Sequence, residues 1–286
     1  MLALTVVEKG IGAPLVLIPG IQGRWEYVRP TMHALSRAFR VITFPLCGEP
    51  SSGLRFERSR AFDNYVRQVV AALDELRVER ATICGISFGG LIALAFAAAY
   101  PGRTSALILT STPGPTWRLR KRHTLYARLP WIFGPLFLAE APRRLRHELA
   151  TAFPDRQARR RFVRSQLRVL VTSPLSLARM GERALMISTA DLVAEAARIA
   201  VPTLIVRGER GLDHVIPAED SLDYLRLITG ARSFVLERTG HLGSITRPDA
   251  FATVVRDFVA TADAESAHSG PALAARSSGP GPRNRE

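Results

Sequence analysis

Ala81-Thr82-Ile83-Cys84-Gly85-Ile86-Ser87-Phe88-Gly89-Gly90-Leu91-Ile92-Ala93-Leu94 reads as a short β-branched strand, an abrupt turn flanked by glycine, and an Ala-rich helix. Ser87 falls at the bend. A strand that turns into a helix within one or two residues crowds its own backbone, so glycine is wanted two residues before the serine and two after it. The turn lifts the Ser87 hydroxyl above the carboxyl edge of a sheet and aims the start of the next helix at it. Free N–H groups and the helix dipole there favour developing negative charge. A Gly-rich β–α turn without chemistry is the bland alternative. The strand before and the helix after supply the context that a Gly-x-Ser-x-Gly nucleophile elbow requires.

Working outward from this segment, short aliphatic runs alternate with longer stretches of helical period, the pattern of a mostly parallel sheet wrapped by helices. Strands are expected over residues 2–7, 15–18, 40–44, 81–84, 106–110, 203–207 and 233–236, and helices over about 25–38, 61–76, 88–100, 218–229 and 248–259. The rhythm stops after Ser111-Thr112-Pro113-Gly114-Pro115 and resumes at Val201-Pro202. Residues 1–114 and 187–262 are therefore expected to form one α/β core, with residues 115–186 inserted as a helical cap. From about Asp263 the chain is rich in Ala, Ser, Gly, Pro and Arg without periodicity, so residues 263–286 are expected to be a disordered tail.

Composition narrows the class. Hydrophobic residues make up 47% and charged residues 22% of 286, an ordinary balance for a globular domain. Cys47 and Cys84 lie in no CxxC or Cys/His spacing, so they are read as reduced, buried thiols with neither a disulfide framework nor a metal site. No run approaches the length of a membrane span, and residues 1–20 lack the basic start and cleavage site of an export signal, so a cytoplasmic protein is expected. The net charge of +14 is concentrated: residues 117–168 carry fourteen Lys and Arg against Glu140, Glu148 and Asp155, a local balance of +11. No recognition motif or interleaved aromatic pattern accompanies that charge, so nucleic acid is not the expected partner. A solvated face is one reading of the arginines; attraction to an anionic substrate, or peripheral contact with an acidic membrane surface, is the other.

A serine hydroxyl needs a base within hydrogen-bond reach. Of six histidines, His241 stands where the architecture delivers one, in the loop Arg238-Thr239-Gly240-His241-Leu242-Gly243 after the last strand, whereas His123 and His147 fall in the basic insertion and are expected to be solvated. The loop Gly208-Glu209-Arg210-Gly211-Leu212-Asp213 offers two carboxylates to orient the base. Asp213 is the choice, with Glu209 as the alternative. Oxyanion donors are expected from the backbone N–H of Phe88, next to the nucleophile, and of Ile21, in the turn Pro19-Gly20-Ile21-Gln22-Gly23.

In the order oxyanion turn, Ser, Asp, His, the chain resembles the α/β-hydrolase superfamily over residues 2–260 apart from the insertion. Residues 12–18, 201–208 and Gly240-His241 followed by Arg247-Pro248-Asp249-Ala250-Phe251 look like the branch of small-molecule esterases, enol-lactonases and carbon–carbon bond hydrolases. That resemblance implies an α/β-hydrolase fold, a Ser87-His241-Asp213 triad, no cofactor and no metal. Two departures stand out: Pro19-Gly20 where many relatives have His-Gly, and Phe44-Pro45-Leu46-Cys47-Gly48-Glu49-Pro50-Ser51-Ser52 where many have an Asp-rich Gly-x-Gly-x-Ser loop.

The expected activity is hydrolysis of a small ester, thioester, lactone or related carbonyl compound, including a carbon–carbon bond next to a ketone. A non-catalytic ligand-binding protein or receptor of the same fold is the alternative. The insertion is expected to roof the serine, with residues 130–138 as apolar walls for an acyl or ring group or as packing onto the core.

Overall fold

The strand candidates pair into one sheet. The computed structural model describes residues 4–217 and 219–269. Its strands β1 (Val7–Lys9), β2 (Ala13–Ile18), β3 (Phe39–Thr43), β4 (Ala81–Ile86), β5 (Thr104–Thr110), β6 (Thr203–Arg207) and β7 (Arg232–Val235) lie in the order β1-β3-β2-β4-β5-β6-β7. β1 is antiparallel to β3, and all other neighbours are parallel. β4 is buried along its whole length and β5 nearly so, which is why both read as near-continuous apolar runs rather than alternating ones.

The helices are α1 (Arg29–Leu35), α2 (Asp63–Glu75), α3 (Phe88–Ala99), α4 (Lys121–Arg128), α5 (Pro130–Ala139), α6 (Ala141–Ala152), α7 (Arg156–Thr172), α8 (Leu177–Thr189), α9 (Val193–Ala197), α10 (Asp223–Leu227), α11 (Gly243–Thr246) and α12 (Pro248–Ser269). Successive strand residues point to opposite faces, so the sheet feeds two cores. Val16, Ile18, Ile83, Leu107 and Ile205 pack with Val69, Leu73 and Ile92 from α2 and α3. Leu15, Leu17, Cys84, Ile108 and Leu204 pack with Met32, Phe251 and Val255 from α1 and α12. Helices α4 to α8 form the helical insertion between β5 and β6 and make the cap.

Four elements depart from expectation. Among the described residues the first strand is Val7–Lys9, and residues 4–6 of the expected strand lie before it, while residues 2–3 lie outside the described residues; it is an edge strand, where Glu8 and Lys9 cost little and the register Val7↔Thr43 is set against β3. Residues 25–38 form a 3₁₀ turn, Trp25–Val28, and then α1, because Pro30 has no N–H to continue a helix and instead opens one. The helix expected from about residue 218 is a 3₁₀ turn, Asp220–Leu222, followed by the five-residue α10. Its shape follows from packing: Tyr224 is fully buried and its hydroxyl donates to the Pro113 carbonyl at 2.6 Å. The final helix runs on to Ser269, so residues 263–269 are helical and not part of a tail. An established helix gains a hydrogen bond per added residue, and Ala and Glu in this stretch favour it. The remainder of the expected tail, residues 270–286, lies outside the described residues.

Candidate active site

Ser87 sits between β4 and α3 with φ 54° and ψ −119°, a left-handed-side backbone that costs a non-glycine residue about 1–3 kcal/mol. Its surroundings enforce it: Ser87 N donates to Thr110 O on β5 at 2.8 Å, and Gly90 N donates to Ser87 O at 2.9 Å. The two glycines answer different constraints. A Cβ on Gly85 would stand 2.5 Å from Gly90 Cα, inside the elbow, and one on Gly89 would stand 2.6 Å from the Pro19 carbonyl, in the turn after β2.

The loops after β6 and β7 bring the other side chains to this edge. His241 Nε2 lies 3.1 Å from Ser87 Oγ, and His241 Nδ1 lies 3.0 Å from Asp213 Oδ2. With the ring proton on Nδ1, it donates to Asp213 and leaves the Nε2 lone pair facing the serine hydroxyl. Asp213 is itself fixed, because its Oδ1 accepts the backbone N–H of Val215 and of Ile216, both at 2.9 Å. The apolar pair after Asp213 thus matters through its backbone. Glu209, the alternative acid, turns elsewhere and accepts the Arg238 N–H at 2.7 Å. Burial alone would pull the His241 imidazole down, but attraction and hydrogen bonding from Asp213, with the charge of Glu148, outweigh it and hold its pKa above the ordinary histidine value.

The turn Pro19 to Gly23 lies against the elbow: a Cβ on Gly20 would stand 3.5 Å from Ser87 Cβ. Among the described residues, neither the Ile21 nor the Phe88 backbone N–H donates to another protein group. Such free donors at the serine can serve an oxyanion. The Ile21 carbonyl, on the other side of the turn, accepts from Arg183 at 3.1 Å.

Two cap residues escaped the sequence reading. Arg183 of α8, fully buried, pairs with Glu49 at 2.7 Å beneath Gly23, whose φ of 71° and missing Cβ make room for the guanidinium. Glu148 of α6, 1% exposed, accepts the N–H of Gly240 at 2.8 Å and of Leu242 at 2.7 Å, on either side of His241. A faint signal existed for the second: Glu148 is one of only three acids in a segment otherwise crowded with arginine. The spacing of charges alone carries no sign of which ones are buried.

The cap also corrects two expectations. Trp131 and Ile132 are 78% and 66% exposed, so they do not wall a closed cavity; α5 is apolar all round, and it is packed through Gly134 against Leu177 of α8, through Phe133 on the Tyr126 ring and through Phe137 against His123. His123 is half-buried between Tyr126 and Phe137 rather than solvated. Cys47 and Cys84 are free and buried, and burial pushes the Cys84 thiol up to about 12. Among the described residues no group of three or more His, Cys, Asp or Glu could hold a metal ion, and no helix is long and apolar enough to cross a membrane.

The sequence pattern of the alpha/beta hydrolase fold family matches residues 13–248. 2-Hydroxymuconate semialdehyde hydrolase of Pseudomonas sp. (strain CF600) is 32% identical over 266 residues, which cover 90% of each chain. 2-Hydroxy-6-oxo-2,4-heptadienoate hydrolase of Pseudomonas putida is 28% identical, with 90% of this chain and 92% of that one covered. The crystal structure of the enol-lactonase from Burkholderia xenovorans LB400 superimposes with a TM-score of 0.72 at 26% identity, over 90% of this chain and 96% of that one. With its sheet order and serine elbow as described, the chain belongs to the α/β-hydrolase superfamily, in the branch that holds these meta-cleavage and enol-lactonase-like hydrolases.

Proposed function

We propose that this chain is a serine hydrolase that cleaves a small ester, thioester, lactone or related carbonyl compound. The observation that carries the reading is the hydrogen-bonded run from Ser87 Oγ through His241 to Asp213. In the reaction, His241 Nε2 takes the hydroxyl proton as Ser87 Oγ bonds to the carbonyl carbon. The carbonyl π electrons move to oxygen, and the N–H groups of Ile21 and Phe88 receive that oxyanion. As the oxyanion collapses, His241 returns the proton to the leaving group, giving an acyl-enzyme. Water then enters by the same steps in reverse and frees the acid and Ser87. Asp213 holds the ring tautomer and stabilises the imidazolium throughout. The cap, residues 115–186 with α8 ending just beyond, roofs the substrate.

Relatives named for cleaving a 2-hydroxymuconate semialdehyde and an enol-lactone support both a carbon–carbon and an ester-like bond as targets. A panel of aryl esters of rising chain length, with lactones, thioesters and a vinylogous ketone beside it, discriminates them. A serine-directed phosphonate is expected to label Ser87 in the same preparation. Absence of both turnover and label, with saturable binding of a small ligand, would favour a receptor of the same fold.

The pH profile has a definite sign. His241 works as a base only when neutral, and its pKa is raised above 6.5, so kcat/KM is expected to fall on the acid side with a midpoint above that value. A profile flat down to about pH 4.5, some two units below an ordinary histidine, would contradict the assigned base.

A further inference from the structure

We propose that Glu148, on cap helix α6, is a positioning residue for the base: it grips the backbone of the loop carrying His241, so that the cap completes the reacting geometry as well as covering it. This rests on the reading of Ser87, His241 and Asp213 given above.

The contact is built, not incidental. One carboxylate oxygen, Glu148 Oε1, receives the N–H of Gly240 and of Leu242, the two residues flanking His241. Hydrogen bonds to an ionised acceptor are the stronger kind, and buried N–H groups left without a partner are costly, so the bonds fix the loop firmly. The loop needs fixing. It carries Gly240 and Gly243, and Gly240 is pressed so closely on the Leu212–Asp213 backbone that a Cβ there would stand 2.8 Å from Asp213 N. A second tie from the same helix acts on the same loop: the Arg238 guanidinium donates twice to the Thr151 carbonyl, at 3.2 and 3.3 Å. Helix α6 therefore holds the 238–242 loop at both ends of its approach to Ser87.

The carboxylate also acts by charge. The charged groups facing His241 are Asp213, from the loop after β6, and Glu148, from α6, and both favour its protonated form. Glu148 in turn faces His241 and Asp213; burial raises its own pKa, against the pull of its two N–H donors and of His241. His147 of α6 and His214 after Asp213 stand with ring centroids 6.3 Å apart beside the same contact. A residue that merely packed the cap would leave the titration of His241 where it is.

The experiment compares full-length Glu148→Gln and Glu148→Ala with the parent. It measures kcat and KM on p-nitrophenyl acetate across pH, the NMR titration of the His241 ring, and thermal melting. Glu148→Ala removes the acceptor and is expected to lower kcat about 10- to 100-fold with KM changed far less, as for other groups that orient a reacting residue. Glu148→Gln keeps an oxygen for the two N–H groups and is expected to recover most of that loss. It also removes the charge, so the His241 titration and the acid limb of kcat/KM are expected to move together to lower pH. A Glu148→Ala enzyme that folds and keeps kcat within twofold of the parent overturns the proposal. So does a Glu148→Gln enzyme whose His241 titration is unmoved, and that result decides alone if the alanine variant does not fold. Failure of the hydrolase reading looks different: the parent itself would show neither turnover nor phosphonate labelling, whatever His241 does on titration.

Discussion

Exchange of Ser87 for alanine is expected to lower kcat for short-chain aryl esters by about 10⁴- to 10⁶-fold while leaving the melting temperature close to that of the parent. The chemical reason is that, among the described residues, no other hydroxyl or thiol is hydrogen-bonded to the base. Among the described residues His241 Nε2 is hydrogen-bonded to the Ser87 hydroxyl alone, at 3.1 Å, and without it the imidazole would have to recruit water into a position set for a covalently held oxygen. A residue of rate above the uncatalysed reaction is expected to remain, roughly 10³- to 10⁴-fold, because the oxyanion donors proposed at Ile21 and Phe88 are untouched. Stability is expected to change little for a physical reason as well. Alanine inherits the same strained φ of 54°, and both backbone bonds at this position, to Thr110 and from Gly90, do not involve the hydroxyl. Turnover within tenfold of the parent would remove Ser87 from the mechanism.

The largest effect on stability is expected at Arg183. Its guanidinium and the Glu49 carboxylate are 0% and 1% exposed, and each is deprived of water. Arg183 also donates to the Ile21 carbonyl and to the Tyr65 hydroxyl, at 3.1 and 3.3 Å. Among the described residues, neither Glu49 oxygen accepts a hydrogen bond of good angle, so the pair is held chiefly by charge. Removing one partner leaves the other charge buried and uncompensated, which typically costs about 3–5 kcal/mol, or roughly 10 °C in Tm for a chain of this size. Arg183→Ala is expected to fall in that range by thermal and denaturant unfolding. The double variant Arg183→Met with Glu49→Leu removes both charges and is expected to recover most of the loss, since a buried ion pair gains little over a well-packed apolar pair. Activity separates the two roles of Arg183: the double variant restores burial but not the tie to the Ile21 carbonyl, beside the proposed oxyanion donor, so its kcat is expected to stay below that of the parent. Equal stability of Arg183→Ala and the parent would show that the pair carries no structural weight.

Much of this protein is legible along the chain because its information is local. The elbow around Ser87 is one continuous segment, and the glycines at 85 and 89 are demanded by contacts of the turn with itself and with the strand beside it. The β4 and β5 runs identify themselves by being apolar on both faces. His241 and Asp213 could be named because parallel strands deliver their following loops to one edge, so strand order alone limits the candidates. Where tertiary context competes with local preference, the sequence misleads: around residue 218 the buried anchor at Tyr224 shortens the helix, and at the chain's first strand the pairing with β3 sets the register.

The amino-acid order was enough to single out the sheet, the serine bend and the histidine and aspartate loops, since each rests on a short pattern with its own steric or chemical demand. Folding alone settled that Asp213 and not Glu209 reaches the imidazole, and that two charges of the Arg-rich insertion, Glu148 and Arg183, turn inward to hold the His241 loop and the Ile21 turn. Burial of a charge depends on which distant surface covers it, and in a stretch crowded with charges nothing local distinguishes a solvated face from a buried tie.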